Sequence, residues 1–156
     1  MLGGFFRGCF GAFFPLCLCL VFTGNALAPP SAPSADKVLC NVDAERFVNQ
    51  RLGIWQERLG LKDWKISTRM SRRDDLKPHT RGNIRWDSAG NSAVVRVLQA
   101  SEYRMGCREM LDDMELTLVH ELVHLELSSL PRSDESRRDE EQAVNRITAA
   151  LLKSVR

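Results

Sequence analysis

The feature that most limits this chain is a helix too apolar to lie on a surface, yet carrying three ionisable side chains within five residues. From Asp112 or Asp113 towards Pro131 the sequence places Met114, Leu116, Leu118, Val119, Leu122, Val123, Leu125 and Leu127 on more than one helical face, which marks a buried helix. Within it stands His120-Glu121-Leu122-Val123-His124. Positions i and i+4 share one helix face, so both imidazoles can hold a single tetrahedral zinc ion, with Glu121 beside its open position. Buried without partners these groups would be costly, and a metal supplies the partners. The pattern uses two of the chain's three histidines. The chemistry this pattern would suit is metal-assisted hydrolysis, in which water would give its proton to Glu121 and attack a polarised carbonyl.

A catalytic zinc of this kind needs a third protein ligand, and no histidine follows His124, so an acid must serve. After Pro131 a charged loop from Arg132 to about Arg138 leads to a last amphipathic helix carrying Val144, Ile147, Leu151, Leu152 and Val155. Asp139, Glu140 and Glu141 are expected in its first turn, where the helix dipole favours acids with or without a metal. The apolar stripe slightly prefers Glu140 and does not decide between neighbours.

The remaining pattern predicts an α+β domain. Asp43 is a candidate N-cap for a helix running to about Leu59, with Phe47, Leu52, Ile54, Trp55 and Leu59 at helical spacings and Gly60 to end it. Trp64, Ile66 and Thr68 alternate with polar residues as a half-buried strand, and a polar stretch follows from Ser71 to Thr80. Gly82 to Trp86 and Ser92 to Leu98 read as a hairpin joined by Asp87-Ser88-Ala89-Gly90-Asn91. Trp55, Trp64 and Trp86 are assigned to the core.

The pairing of His120-Glu121-Leu122-Val123-His124 with Glu141-x-x-Val144-Asn145-x-Ile147-x-Ala149-Ala150-Leu151-Leu152 resembles the gluzincin metallopeptidases. The closest form is that of the small single-domain minigluzincins and ImmA/IrrE-type peptidases, whose second motif reads E-x-x-A-N-x-F-A-x-x-L-L. The resemblance covers about Asp112 to Leu152, with Val144, Ile147 and Thr148 in place of the usual Ala, Phe and Ala. It implies one catalytic zinc ion held by His120, His124 and Glu141, with Glu121 as general base and Asn145 orienting a ligand. It also implies a zincin-like minimal domain, with an N-terminal helix, a sheet of about three strands, an active-site helix and a ligand-bearing C-terminal helix. Ser92 to Leu98 would then be the sheet edge along which an extended peptide or protein substrate lies.

The N-terminus has a different composition. Met1 to Ala28 contain one basic residue, Arg7, no acid, and an apolar run that ends in Thr23-Gly24-Asn25-Ala26-Leu27-Ala28, the three parts of a secretory signal peptide. The expected division is therefore a signal peptide over 1–28, a flexible Pro/Ser/Ala linker over 29–40 and a peptidase domain over 41–156. The mature protein would be secreted or periplasmic, without a stable membrane span. Cys40 and Cys107 would remain in the mature chain and are most simply paired as a disulfide.

Twenty-two basic against 20 acidic residues give no support for a nucleic-acid partner. His79, Tyr103 and Arg104 are candidates to assist at the site, weighed against ordinary exposed loop positions. Arg69, Arg72, Arg73, Lys77 and Arg81 form a basic stretch interrupted by Asp74 and Asp75, expected to be a solvated loop that could meet a substrate acid. The expected function is that of an exported zinc metallopeptidase. Its alternatives are a zinc-stabilised binding module, or a cytoplasmic ImmA/IrrE-like regulatory peptidase if the leader is retained.

Overall fold

Helix α1 spans Ala35–Arg58 in a computed structural model that describes residues 35–130 and 136–155, with side chains from 43 and again from 138. Gly60, at φ +70°, closes α1: Leu61 N–H donates to Gln56 O at 2.9 Å and Gly60 N–H to Glu57 O at 3.2 Å. That pair of bonds is a Schellman cap, which needs the left-handed conformation that glycine adopts without strain. The start of α1 differs from expectation. Asp43 is not its N-cap; it lies inside the helix and pairs with Arg46 at 3.6 Å. Because the prolines stop at Pro33, residues 35–40 are free to be helical, so that part of the expected linker belongs to α1. The expected signal peptide over 1–28 and the linker over 29–34 lie outside the described residues.

Three strands follow: β1 Lys65–Ser71, β2 Gly82–Asp87 and β3 Ser92–Leu98. Asp87 accepts the Ala89 N–H at 3.0 Å and Asn91 takes a left-handed φ of 45°, the chemistry of the expected hairpin turn. The sheet order is β1-β3-β2, with β3 parallel to β1 and antiparallel to β2. Ser92 to Leu98 is therefore the middle strand, not the edge. Its backbone is engaged on both sides, by Lys65↔Ser92 pairing on one and Gly82↔Val97 on the other. The edge that runs beside the next helix is β2.

Helix α2 spans Cys107–Glu126, capped by Gly106, and passes into a 3-10 turn over Leu127–Ser129 before Pro131. It opens five residues before Asp112. Asp113 does not cap it, because its carboxylate accepts from the Tyr103 hydroxyl at 3.0 Å and from the Arg81 guanidinium. Cys107 is disulfide-bonded; the side chain of Cys40, its expected partner, lies outside the described residues. Helix α3 spans Ser136–Lys153, so Asp139 falls in its first turn and Glu140 and Glu141 in the second.

Val48 and Trp55 of α1, Val95, Val97 and Leu98 of β3, Met114, Leu118, Val119, Leu122 and Leu125 of α2, and Val144 of α3 are buried together. Trp64 and Trp86 pack against this core from its margin. On α3 the inward stripe is Val144, Thr148 and Leu152, while Ile147 and Val155 are exposed. The order helix, small mixed sheet and two helices is an α+β fold. No helix among the described residues is long and apolar enough to cross a membrane.

Candidate metal centre

One turn of α2 separates His120 from His124, so both rings leave the helix on the same face. Their Nε2 atoms lie 3.1 Å apart and their ring centroids 4.8 Å apart. Helix α3 packs on α2 and adds Glu141, whose Oε2 is 3.5 Å from His120 Nε2 and whose Oε1 is 3.2 Å from His124 Nε2. Ligand atoms of His120, His124 and Glu141 all lie within 4.8 Å of one another, a cluster that could hold a metal ion. Two imidazole nitrogens and one carboxylate oxygen are a donor set suited to zinc. Lone pairs brought this close are best relieved by a cation between them, so the residues fit the ion. Glu141 is 56% exposed, and the cluster opens to solvent on that side.

Glu140 does something different from its neighbour. Its Oε1 stands 3.1 Å from Nδ1 of His124, on the far side of the ring from the cluster. An Nδ1–H donated there leaves Nε2 as a lone pair aimed at the cluster. Asn145, one turn beyond Glu141, hydrogen-bonds His120 through its side chain. Helix α3 thus gives each ring a side-chain partner, Glu140 for His124 and Asn145 for His120. Burial, and then the nearby His124, hold the His120 imidazole below its usual pKa against the opposing pull of Glu141 and Asn145. A neutral ring is the form that binds a metal.

Glu121, the residue after His120, reaches β2, where its Oε1 would lie 3.6 Å from a Cβ at Gly82. It is buried, and burial together with the negative charge of Glu141 raises its carboxyl to about 7, while the Ile84 backbone N–H and Lys77 oppose the rise. A carboxyl that titrates near neutrality can both take and return a proton at neutral pH. The contact with Ile84 follows from strand geometry. Arg81 O accepts from Leu98 N at 2.7 Å, so 81 and 98 are a hydrogen-bonded pair. Alternate residues of β2, including Gly82 and Ile84, therefore turn their backbone groups away from β3.

Gly82 makes this approach possible, because a Cβ there would strike the Thr117 methyl and lie 2.7 Å from Arg96 O. Neither Ile84 nor Lys77 is legible as a site residue in the sequence, since one acts through its backbone and the other from a polar loop.

Tyr103 is neither an exposed loop residue nor at the cluster. It is 3% exposed in the core, and its hydroxyl donates to Asp113, two helical turns before Glu121. His79, at a left-handed φ of 63°, and Arg104 are exposed. No family model, curated protein or solved structure matches the chain.

Proposed function

We propose that this chain is a zinc-dependent peptidase, exported by its leader, that hydrolyses a peptide bond with Glu121 as general base. The observation that carries the reading is the convergence of His120, His124 and Glu141, each histidine with a side-chain partner on α3, next to the buried carboxyl of Glu121. When bound, zinc would polarise the substrate carbonyl and make a water acidic enough to deprotonate near neutral pH.

The protein's own groups do the rest. Glu121 accepts the proton of the attacking water and returns it to the leaving amine. The Ile84 N–H keeps that carboxylate turned towards β2. The substrate is expected to lie along β2, in place of the Ser92 to Leu98 edge first expected, because β2 is the edge strand beside Glu121. Asn145 and Glu140 hold the two rings so that neither has to reorient on binding.

Two measurements test this. Zinc per chain is expected to be about one by atomic emission, as a single set of three protein donors implies. Glu121→Gln is expected to retain that zinc and to lose cleavage by about 10²- to 10⁴-fold, the usual weight of a general base. Full activity in that variant, or no zinc in the folded wild type, would sink the reading.

A further inference from the structure

The basic stretch noted in the sequence is solvated as expected, with Arg69, Arg72, Arg73, Lys77 and Arg81 all exposed, but two of its members meet a third arginine at one cavity. Arg73, from the 3-10 turn after β1, Arg81, at the entry to β2, and Arg104, from the loop before α2, line one cavity of about 740 Å³ with Tyr103 among its walls. Arg81 is held in place: its guanidinium lies 5.9 Å over the Tyr103 ring and binds Asp113. The one acid lining the cavity, Glu102, accepts from Gln99 Nε2 at 3.3 Å. Three arginines thus line the cavity against a single lining acid, and with Asp113, which Arg81 binds, also counted the balance is still positive.

The cavity's position ties it to the candidate active site. Asp113 and Glu121 are eight residues apart on α2, which is about 12 Å at 1.5 Å per residue. Strand β2 covers the same span, with Arg81 beside Asp113 and Ile84 at Glu121. A peptide extended along β2 advances about 3.3 Å per residue. Such a peptide reaches from Glu121 to the cavity in three or four residues.

We propose that this cavity is a specificity subsite that takes a carboxylate of the peptide substrate, three or four residues from the scissile bond and on one side of it only. The proposal rests on the peptidase reading above and adds to it the class of substrate. The carboxylate can be an internal Asp or Glu side chain or the C-terminus of a short peptide, and guanidinium groups bind both through paired N–H donors.

The test compares cleavage of matched decapeptides by the purified zinc-loaded protein. Glu replaces Gln at each position in turn, in one set with amidated C-termini and one with free C-termini, and cuts are mapped by mass spectrometry. At least tenfold higher kcat/KM for Glu over Gln is expected at one position, three or four residues from the cut. Preference confined to the free-acid set would name the C-terminus as the source. Arg73→Glu and Arg104→Glu, made separately, are expected to abolish the preference or turn it towards Lys while zinc content stays at the wild-type value. Arg81 is left intact because it holds Asp113. Cleavage with equal rates for Glu and Gln, or a preference that neither variant changes, overturns the subsite and leaves the peptidase reading standing. Absence of cleavage across both sets overturns the two together.

Discussion

Glu140 Oε1 lies 3.1 Å from Nδ1 of His124, on the opposite side of the ring from the cluster that Glu141 completes. Two adjacent acids on α3 therefore have separate tasks, and their substitutions should separate too. Glu141→Ala removes a donor and is expected to abolish stoichiometric zinc binding. Glu140→Ala removes an orienting partner and is expected to weaken zinc by about 10- to 100-fold while keeping one ion per chain. Competition against a chromophoric chelator measures both. Equal losses would mean that the two carboxylates are not distinguished in this way.

Gly82 of β2 lies against Thr117 of α2 with no space for a Cβ. Gly82→Ala is expected to cost about 1 to 3 kcal/mol in urea unfolding, the usual range for overpacking a closed contact. Thr117→Ser in the same chain removes the methyl that the new Cβ strikes and should recover part of that loss. It cannot recover all of it, because the Arg96 carbonyl oxygen remains 2.7 Å from the same Cβ. The single variant should also lose activity, since it moves Ile84 away from Glu121. Wild-type stability in Gly82→Ala would contradict the close packing described here.

Glu115 joins α2 to α1 through one oxygen. Oε1 accepts from Trp55 Nε1 at 2.7 Å, from Arg51 Nε at 2.6 Å and also from Arg51 Nη2. Glu115→Ala would leave a buried indole N–H and a guanidinium without their acceptor, at about 2 to 4 kcal/mol. Glu115→Gln keeps an acceptor oxygen and should lose less. Equilibrium unfolding of the two variants ranks them, and equal losses would point to the charge alone.

Tyr103 is the only tyrosine, so absorbance at 295 nm reports its ionisation directly. Burial, followed by the charge and hydrogen bond of Asp113, raises its hydroxyl well above the usual tyrosine value of 10.0, against smaller opposing effects of Arg81 and Arg73. A raised folded-state pKa means that the stabilisation is fully present below pH 10 and is lost as pH climbs through the folded value. The folded protein should show no ionisation step near pH 10, and Asp113→Asn should bring the step closer to it. A normal step in the wild type would show the hydroxyl to be accessible.

The sequence alone was enough for what depends on neighbours in the chain. His120 and His124 share a face because a helix repeats every 3.6 residues. Gly60 ends α1 because it tolerates a positive φ, and the turn residues from Asp87 to Asn91 join β2 to β3. What depended on residues far apart was not legible. Asp112 or Asp113 looked like the start of α2, which opens at Cys107 instead, and the Asp113 carboxylate goes to Tyr103 and Arg81. Periodicity slightly preferred Glu140 without deciding between it and Glu141, and only the packing of α3 turned Glu140 to Nδ1 and Glu141 to Nε2 of the same ring. Ser92 to Leu98 was expected at the edge from the family resemblance alone, since nothing in a strand's own residues tells which neighbours it has. Parallel pairing with β1 made it the centre of the sheet and left β2 beside Glu121. Local backbone preference fixes the elements, whereas strand order and the choice between adjacent acids are settled by contacts that exist only once the chain has folded.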